Sequence, residues 1–208
     1  MTTLNDTEKV APMSLVLDPE AQDLLFREAR TPRTFTDEPV TDEQIQAVYD
    51  LVKYGPTAFN QSPLRITLVR SAEARERLVK HMAPVNQAKT ATAPLVAILS
   101  TDNEFHEELP RLVPGFPEAK DLFFAERPVR ERSAQLNGVL QAAYFIIGIR
   151  AAGLAAGPMN GFDYPGVQAE FLDDDHTPLV VVNIGRPGPD AWDERAPRLD
   201  LDEILTTV

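Results

Sequence analysis

The chain has 208 residues, of which 43% are hydrophobic, enough for one compact domain with a buried core. Its 32 acidic and 20 basic residues give a formal charge of -12, which disfavours binding to nucleic acid or to anionic lipid. The sequence contains no cysteine, which excludes disulfides, thiolate nucleophiles, cysteine zinc sites and iron–sulfur clusters. It has no signal-peptide pattern and no run of 18 apolar residues, so we expect a cytoplasmic protein that does not cross a membrane.

The spacing of apolar residues, prolines and capping residues predicts a mixture of helices and strands. We expect a flexible tail at residues 1–16, followed by a single domain over residues 17–208. The predicted helices are 18–29, 41–54, 72–81 and 130–152, and the predicted strands are 66–69, 94–99 and 178–184. The first helix would start at an Asp18 cap and bury Leu24 and Leu25. Such a mixture predicts the α+β fold class.

The predicted helix at 130–152 is unusual in its many small residues and in being apolar around most of its circumference. Small residues allow neighbouring backbones to approach closely, and an apolar circumference indicates burial. The small residues are Gly138, Ala142, Ala143, Gly148, Ala151 and Ala152. We therefore expect this helix to be buried, either in the core or in a subunit interface.

Two segments in the first third of the chain carry polar groups that suit a ligand. Arg30–Phe35 (RTPRTF) contains two guanidinium groups and two hydroxyls, which fit a phosphate or an electron-rich ring edge. It also fits a solvated, positively charged helix C-terminus. Gly55–Pro63 contains Asn60, which can both donate and accept hydrogen bonds at the edge of a heterocycle. An ordinary helix-to-strand turn uses the same residue types.

Two later segments have a similar character. Gly153–Asp163 contains three glycines that would let a flat ligand lie against backbone N–H groups, although a helix C-cap explains Gly153 equally well. Arg195 and Arg198 are paired basic residues in an acidic chain and suggest an anion. Taken alone, they are better interpreted as partners in surface ion pairs with neighbouring carboxylates.

Other enzyme classes find little support in the sequence. The three histidines, His81, His106 and His176, are far apart and lack metal-ligand spacing, and the Asp173–Asp175 run is better interpreted as an acidic loop. No metal site is therefore predicted, and no G-x-S-x-G nucleophile motif occurs. Side chains suited to difficult chemistry are scarce, which indicates a bound cofactor.

Taken together and in order, the four segments resemble those of the nitroreductase family of FMN-dependent flavoproteins. The resemblance spans residues 21–205 and implies an α+β fold with a central, mostly antiparallel sheet flanked by helices in a domain-entwined homodimer. Within the family, the sequence is most similar to the branch containing malonic semialdehyde reductase. That likeness is carried by Tyr54–Thr57, Asn60, Ser62, Pro63, Arg65, Ile66, Lys89, Thr90, Ala93, Pro94, Gln141–Tyr144, Gly157–Met159 and Gly161–Asp163.

The resemblance also assigns roles to residues of the four segments. It implies that Arg30 and Arg198 hold the FMN phosphate with support from Thr31. Many relatives have two adjacent arginines where this chain has Ala29 and Arg30, so Arg195 is expected to contribute to phosphate binding as well. By the same resemblance, Arg33 lies near the N1–O2 side of the flavin, Asn60 pairs with its pyrimidine edge, and backbone N–H groups around Asn160 and Gly161 face N5 and O4. The other expected cofactor-binding residues are Pro56, Thr57, Ser62, Pro158 and Met159.

The implied activity is hydride transfer from NADH or NADPH to a small organic acceptor by a ping-pong mechanism. For malonic semialdehyde, Arg65 or Lys89 would hold the carboxylate, and Phe123 and Phe124 would roof the pocket unless they belong to the core. Relatives commonly have Gln-Pro-Trp where this chain has Ser62, Pro63 and Leu64, so the acceptor pocket differs from theirs. The alternatives are a nitroaromatic or quinone reductase of the same family, a flavin-binding or redox-sensing module without turnover, and a cofactor-free structural protein.

Overall fold

A four-stranded antiparallel sheet forms the centre of the protein in a computed structural model that describes residues 15–208. Its strands are β1 (Leu64–Val69), β2 (Leu95–Asp102), β3 (Ala155–Met159) and β4 (His176–Gly185). They lie in the order β1-β2-β4-β3, and each strand is antiparallel to its neighbours. The predicted α+β class and the antiparallel sheet are confirmed. Most of the tail predicted at 1–16 lies outside the described residues.

Helices surround the sheet. They are α1 (Pro19–Gln22), α2 (Asp42–Val52), α3 (Ala72–His81), α4 (Pro84–Thr92), α5 (Leu109–Leu112), α6 (Ala119–Phe124), α7 (Arg127–Ala151), α8 (Tyr164–Phe171) and α9 (Leu201–Ile204). A π-helical turn, Asp23–Arg27, continues α1, and 3-10 turns occur at Ala58–Asn60 and Phe105–Glu108. Within residues 15–208, none of the helices has the length and apolar character needed to span a membrane.

The core has two layers, one on each face of the sheet. Alternate residues of β2 point to opposite faces, so Leu95, Ala97 and Leu99 pack against α2 and α7. Val96 and Ile98 pack on the other face, against α3 and α8. Because β2 is covered on both faces, its residues 95–101 are all buried. This double burial explains why the strand appears in the sequence as a continuous apolar run.

The predicted starts of the first three helices are confirmed, whereas the fourth helix starts at Arg127 instead of Arg130 and the end predicted for the first helix is wrong. The Asp18 carboxylate accepts a hydrogen bond from Ala21 N at 2.9 Å, and Thr41 begins α2 with a complete capping box. The first helix, however, widens into the π-helical turn and ends at Arg27. Leu24 is 48% exposed and Leu25 is only half-buried. The turn contacts the end of α7 and the C-terminal segment, and leaves Leu24 and Phe26 largely in solvent.

Helix α7 is buried on one side and exposed on the other. Ala142, Phe145 and Ile149 lie in the core against the sheet. The opposite side exposes a row of large apolar residues, Leu136, Val139, Leu140 and Tyr144. The prediction of burial is therefore confirmed for half of the helix, and the predicted role of the other half in a subunit interface stays a prediction.

Candidate functional site

The first predicted segment, Arg30–Phe35, pairs with the C-terminal segment that follows β4. Arg33 N donates to Ala191 O at 2.8 Å, and Gly188 N donates to Thr34 O at 3.0 Å. The Arg33 guanidinium forms an ion pair with Asp193 at 2.8 Å, and Arg30 Nη1 donates to the Asp193 carbonyl at 3.3 Å. Two segments that are about 160 residues apart in sequence are thus brought together.

Between these two segments lies a cavity of about 300 Å³ with a strongly basic wall. Its residues are Ala29, Arg30, Thr31, Arg150, Asp193, Glu194, Arg195, Ala196 and Arg198. Arg195 donates to the carbonyls of Arg27 and Ala29, and Arg198 donates to those of Ala196 and Pro197. Among the described residues, neither Arg195 nor Arg198 forms an ion pair with a carboxylate. The alternative of surface ion pairs is therefore wrong for these two arginines.

The end of β3 lies next to the first segment. A Cβ placed on Gly157 would be 3.8 Å from Pro32 Cδ, an ordinary van der Waals distance, so the strand and the Pro32 ring lie side by side. After the strand, the carbonyl of Gly161 accepts hydrogen bonds from Ala83 N at 2.9 Å and Asn86 Nδ2 at 3.0 Å. Within the described residues, the N–H groups of Asn160 and Gly161 have no acceptor. The chain therefore holds these two donors in place and leaves them available.

Two glycines of the third segment, Gly153 and Gly161, are required for different structural reasons. Gly153 has a φ of +73° directly after α7, which is the left-handed C-cap conformation that glycine adopts without strain. Gly161 has no positive φ, but a Cβ there would lie 2.9 Å from Asn86 Nδ2 and would disturb the hydrogen bond to its own carbonyl. Residues 155–159, predicted as part of a ligand loop, are instead strand β3. Its small residues concealed it because they carry little of the usual strand signal.

Helix α7 holds the second segment, Gly55–Pro63, through a row of polar side chains. Asn137 Oδ1 accepts from Ala58 N at 2.8 Å, and Gln141 Oε1 accepts from Leu64 N at 3.0 Å. Ser133 donates to Gln61 at 3.2 Å. The side chains of Ser133, Asn137 and Gln141 are four residues apart and lie on one helix face. Together they form what we call the loop clamp.

The loop clamp holds an unusual backbone conformation. Phe59 and Asn60 have positive φ values of 54° and 49°, a left-handed conformation that non-glycine residues rarely adopt. The Asn60 side-chain amide donates to Leu112 O at 3.0 Å and leaves its oxygen free. Thr57 Oγ1 donates to Gln61 O at 2.8 Å and Ser62 Oγ accepts from Gln141, so these two predicted residues support the loop itself.

The second segment does not reach the basic cavity in a single chain. Asn137 of the loop clamp contacts the second segment, whereas Arg150 at the far end of α7 borders the cavity. These two residues are 13 positions apart in one helix, which corresponds to about 20 Å along its axis. Three of the four predicted segments therefore converge, and the fourth lies apart from them.

The four predicted acceptor-binding residues lie in four different settings. Arg65 forms an ion pair with Asp102 at 2.5 Å and donates to two carbonyls, so its guanidinium is already engaged. Lys89 is half-buried on α4, one helical turn after Asn86, on the side that contacts Gly161. Phe124 is 5% exposed and belongs to the core, as the alternative held.

Phe123, in contrast, belongs to an aromatic surface. It is 48% exposed, and its ring lies 5.2 Å from that of Phe59 and 6.0 Å from that of Phe116. Phe59 is itself 39% exposed at the tip of the clamped loop. Adjacent residues of α6 are thus divided between the core and an accessible aromatic face next to Asn60.

The histidines of the described residues lie in carboxylate pairs and do not form a metal site. His81 lies 2.5 Å from Glu170, and His176 contacts Asp173. Among residues 15–208, no three histidine or carboxylate side chains come together as a metal ion would require.

Sequence reasoning missed Asn86, Arg150 and the polar row on α7. Asn86 lies in α4, a helix that was not predicted. The row was detectable, because polar residues at positions 133, 137 and 141 recur at helical spacing within an apolar helix. Arg150 has the ordinary appearance of a basic residue in the last turn of a helix, and only the fold places it in the cavity.

Comparisons with known proteins identify the family of the chain. The sequence profile described as Nitroreductase family matches residues 26–186. A relative from Streptomyces griseus subsp. griseus, provisionally named NADH dehydrogenase/NAD(P)H nitroreductase, is 78% identical over 196 residues, covering 94% of this chain and 100% of its own. A relative from Streptomyces coelicolor with the same provisional name is 79% identical with the same coverage.

Solved structures show the same fold. A Bacillus subtilis protein provisionally described as a nitroreductase matches with a TM-score of 0.82 at 22% identity, over 91% of this chain and 99% of its own. An Exiguobacterium sibiricum protein, described in the same way and in complex with FMN, gives a TM-score of 0.76 at 17% identity, over 90% of this chain and 96% of its own. The match of the family profile over most of the chain and the high identity to the two Streptomyces relatives lead to one conclusion: this chain belongs to the nitroreductase family.

Proposed function

We propose that the protein is an oxidoreductase that binds FMN and transfers hydride from NADH or NADPH to a small organic acceptor. The observation that carries the proposal is the basic cavity beside the first segment, in a chain whose net charge is -12. The names of the Streptomyces relatives, which include NAD(P)H nitroreductase, support the electron donor. The Exiguobacterium structure, described as a complex with FMN, supports the cofactor.

The residues present fit FMN. Its phosphate is a dianion, and Arg30, Arg195 and Arg198 would hold it with support from the Thr31 hydroxyl. The available N–H groups of Asn160 and Gly161 would donate to the ring edge, with Pro158 and Met159 beside them. FMN, once bound, would supply the hydride-carrying chemistry that the side chains of the site lack.

Arg33 is the residue that would tune the reactivity of the site. Its side chain is 56% exposed and forms an ion pair with Asp193 at 2.8 Å. A fixed positive charge there would stabilise the negative charge that develops on the ring when hydride is accepted. Because the ion pair already orients the side chain, little reorganisation is needed during the reaction.

We propose that the working form is a homodimer in which each copy completes the site of the other. The clamped loop with Pro56, Thr57, Asn60 and Ser62 does not line the basic cavity of its own chain, and its anchor Asn137 lies about 20 Å along α7 from Arg150. The exposed apolar row on α7 runs between the two regions and would be covered by the second copy. Asn60 of that copy would then reach the pyrimidine edge with its free amide oxygen.

Donor and acceptor are proposed to use one pocket in turn, in a ping-pong mechanism. The sequence has no G-x-G-x-x-G fingerprint for a separate dinucleotide-binding domain. The physiological acceptor we propose is malonic semialdehyde, and Lys89 rather than Arg65 would hold its carboxylate because Arg65 is already paired with Asp102. The exposed rings of Phe59, Phe116 and Phe123 favour a second candidate class, flat aromatic acceptors such as nitroaromatics or quinones.

An absorbance experiment tests the proposal directly. The purified protein is expected to carry flavin bands at about one FMN per chain, which NADH bleaches in the absence of oxygen and an acceptor restores. Restoration by malonic semialdehyde supports that substrate, and restoration only by a nitroaromatic or quinone favours the second class. Bleaching that no acceptor restores would leave a flavin-binding module without turnover. A colourless protein that takes up no added FMN would refute the proposal.

A further inference from the structure

The basic cavity contains a further cation, Arg150, which has no role in the FMN binding proposed so far. Arg150 lies at the C-terminal end of α7 and borders both the basic cavity and a smaller, more apolar cavity of about 170 Å³ that Trp192 also lines. One guanidinium nitrogen, Nη1, donates weakly to Leu25 O at 3.3 Å. Its Nε is buried and has no hydrogen-bond partner among the described residues.

The charge of Arg150 is not neutralised by the protein. Among residues 15–208, Arg150, Arg195 and Arg198 all border the cavity without an ion pair to a carboxylate. Asp193, on the same wall, is paired with Arg33 instead. Burial lowers the pKa of the Arg150 guanidinium, and the positive charge of Arg195 lowers it further. A group that is desolvated beside a like charge is expected to gain an anionic partner when the site is filled.

We propose that Arg150 is a fourth phosphate-binding residue of this site, reaching the phosphate monoester of the bound nucleotide from the end of α7. The inference rests on the proposed function and adds a residue that the family resemblance did not supply. It also explains how the chain binds phosphate with Ala29 where many relatives have an arginine, because Arg150 restores a positive charge next to Arg30.

A comparison of FMN with riboflavin isolates the proposed contact, since riboflavin lacks only the phosphate. Binding of each flavin to the apoprotein is measured by quenching of flavin fluorescence for the wild type, Arg150→Met and Arg150→Lys. Arg132→Met is the matched control, because it removes one positive charge from an exposed position of the same helix, about 27 Å from Arg150 along the axis.

For Arg150→Met we expect FMN affinity to fall about 10- to 100-fold, the range for losing a hydrogen bond to a charged group. Riboflavin affinity should stay within about threefold of the wild type, which also reports that the variant is folded. Arg150→Lys keeps the charge but loses the planar guanidinium, so its FMN affinity should lie between those of the wild type and Arg150→Met. Inorganic phosphate should raise the melting temperature of the wild-type apoprotein more than that of Arg150→Met.

The outcomes separate this inference from the proposed function. Equal FMN affinity in the wild type, Arg150→Met and Arg132→Met would overturn the role of Arg150 and leave the flavin assignment intact. Failure of the wild type to bind either flavin would instead refute the proposed function. If FMN and riboflavin lose affinity in parallel, Arg150 is a structural residue and the proposal is wrong. If only discrimination between NADPH and NADH changes, the phosphate that Arg150 recognises belongs to the electron donor, which also overturns the proposed role in binding FMN.

Discussion

Replacing Asn137 with alanine tests whether the loop clamp holds the second segment in its unusual conformation. The Asn137 side chain is 2% exposed and makes two hydrogen bonds, accepting from Ala58 N at 2.8 Å and donating to Ser133 O at 2.9 Å. Asn137→Ala removes both and leaves the N–H of Ala58 without an acceptor. Since Phe59 and Asn60 carry backbone strain, the loop is expected to relax once this bond is lost.

The magnitude follows from two opposing effects. An unsatisfied buried hydrogen-bonding group costs about 1–3 kcal/mol, and the bond to Ala58 is only partly buried, which places the loss in the lower half of that range. Alanine also favours the helix interior over asparagine by roughly 0.6 kcal/mol. We therefore expect a net loss of about 1 kcal/mol in the free energy of unfolding, with a fall in melting temperature of about 2–4 °C.

The assay combines urea unfolding at fixed protein concentration with hydrogen exchange of residues 57–64. Gln135→Ala is the control, since it removes a side-chain amide from an exposed position of the same helix and should change stability by less than about 0.5 kcal/mol. Exchange at Ala58 should accelerate in Asn137→Ala and not in Gln135→Ala. Equal stability of the two variants together with unchanged exchange at Ala58 would show that the loop keeps its conformation without the clamp.

Three further substitutions test other features of the structure. Gly148→Ala places a Cβ 2.5 Å from Val52 Cγ1 and should destabilise the protein by about 1–2 kcal/mol after the helix-propensity gain, whereas Gly115→Ala, with no atom within 4 Å, should be neutral in urea unfolding. Leu140→Glu puts a charge in the exposed row of α7 and should yield monomers by light scattering; a persistent dimer would place the interface elsewhere. Phe123→Ala should lower kcat/KM about tenfold for nitroaromatic acceptors but not for aliphatic aldehydes, and a parallel loss for both would argue against an aromatic platform.

Local signals in the sequence predicted the parts of the fold that local chemistry determines. The Thr41 capping box, the 72–81 helix and the apolar run of β2 each depend on residues that are near one another in the chain. The prediction failed where packing decides the outcome. The first helix becomes a π-helical turn after Gln22, and β3 was taken for a ligand loop because its residues are small. Helices α4 and α8 were also missed, and both start at or next to a proline.

The candidate site also contains features that the sequence predicted and features that it could not predict. The arginines of the first and last segments were predicted as anion-binding residues, and the fold brings both to one cavity. The sequence could not reveal that the second segment lies elsewhere, since its distance from that cavity depends on where each segment contacts α7. It could not reveal the engagement of Arg65 either, because its partner Asp102 is 37 residues away at the end of the adjacent strand.

Helix α7 connects these observations. Its first half carries the loop clamp and its last turn carries Arg150, so the residues that would serve two different cofactor sites are fixed by one rigid element. Gly138 and Gly148 let it lie close to the sheet and to α2, which sets its axial position relative to both. In the proposed dimer, the small residues would therefore matter for function as well as for packing. A shift of this helix would move the clamped loop and Arg150 together, and in the proposed dimer it would disturb both sites at once.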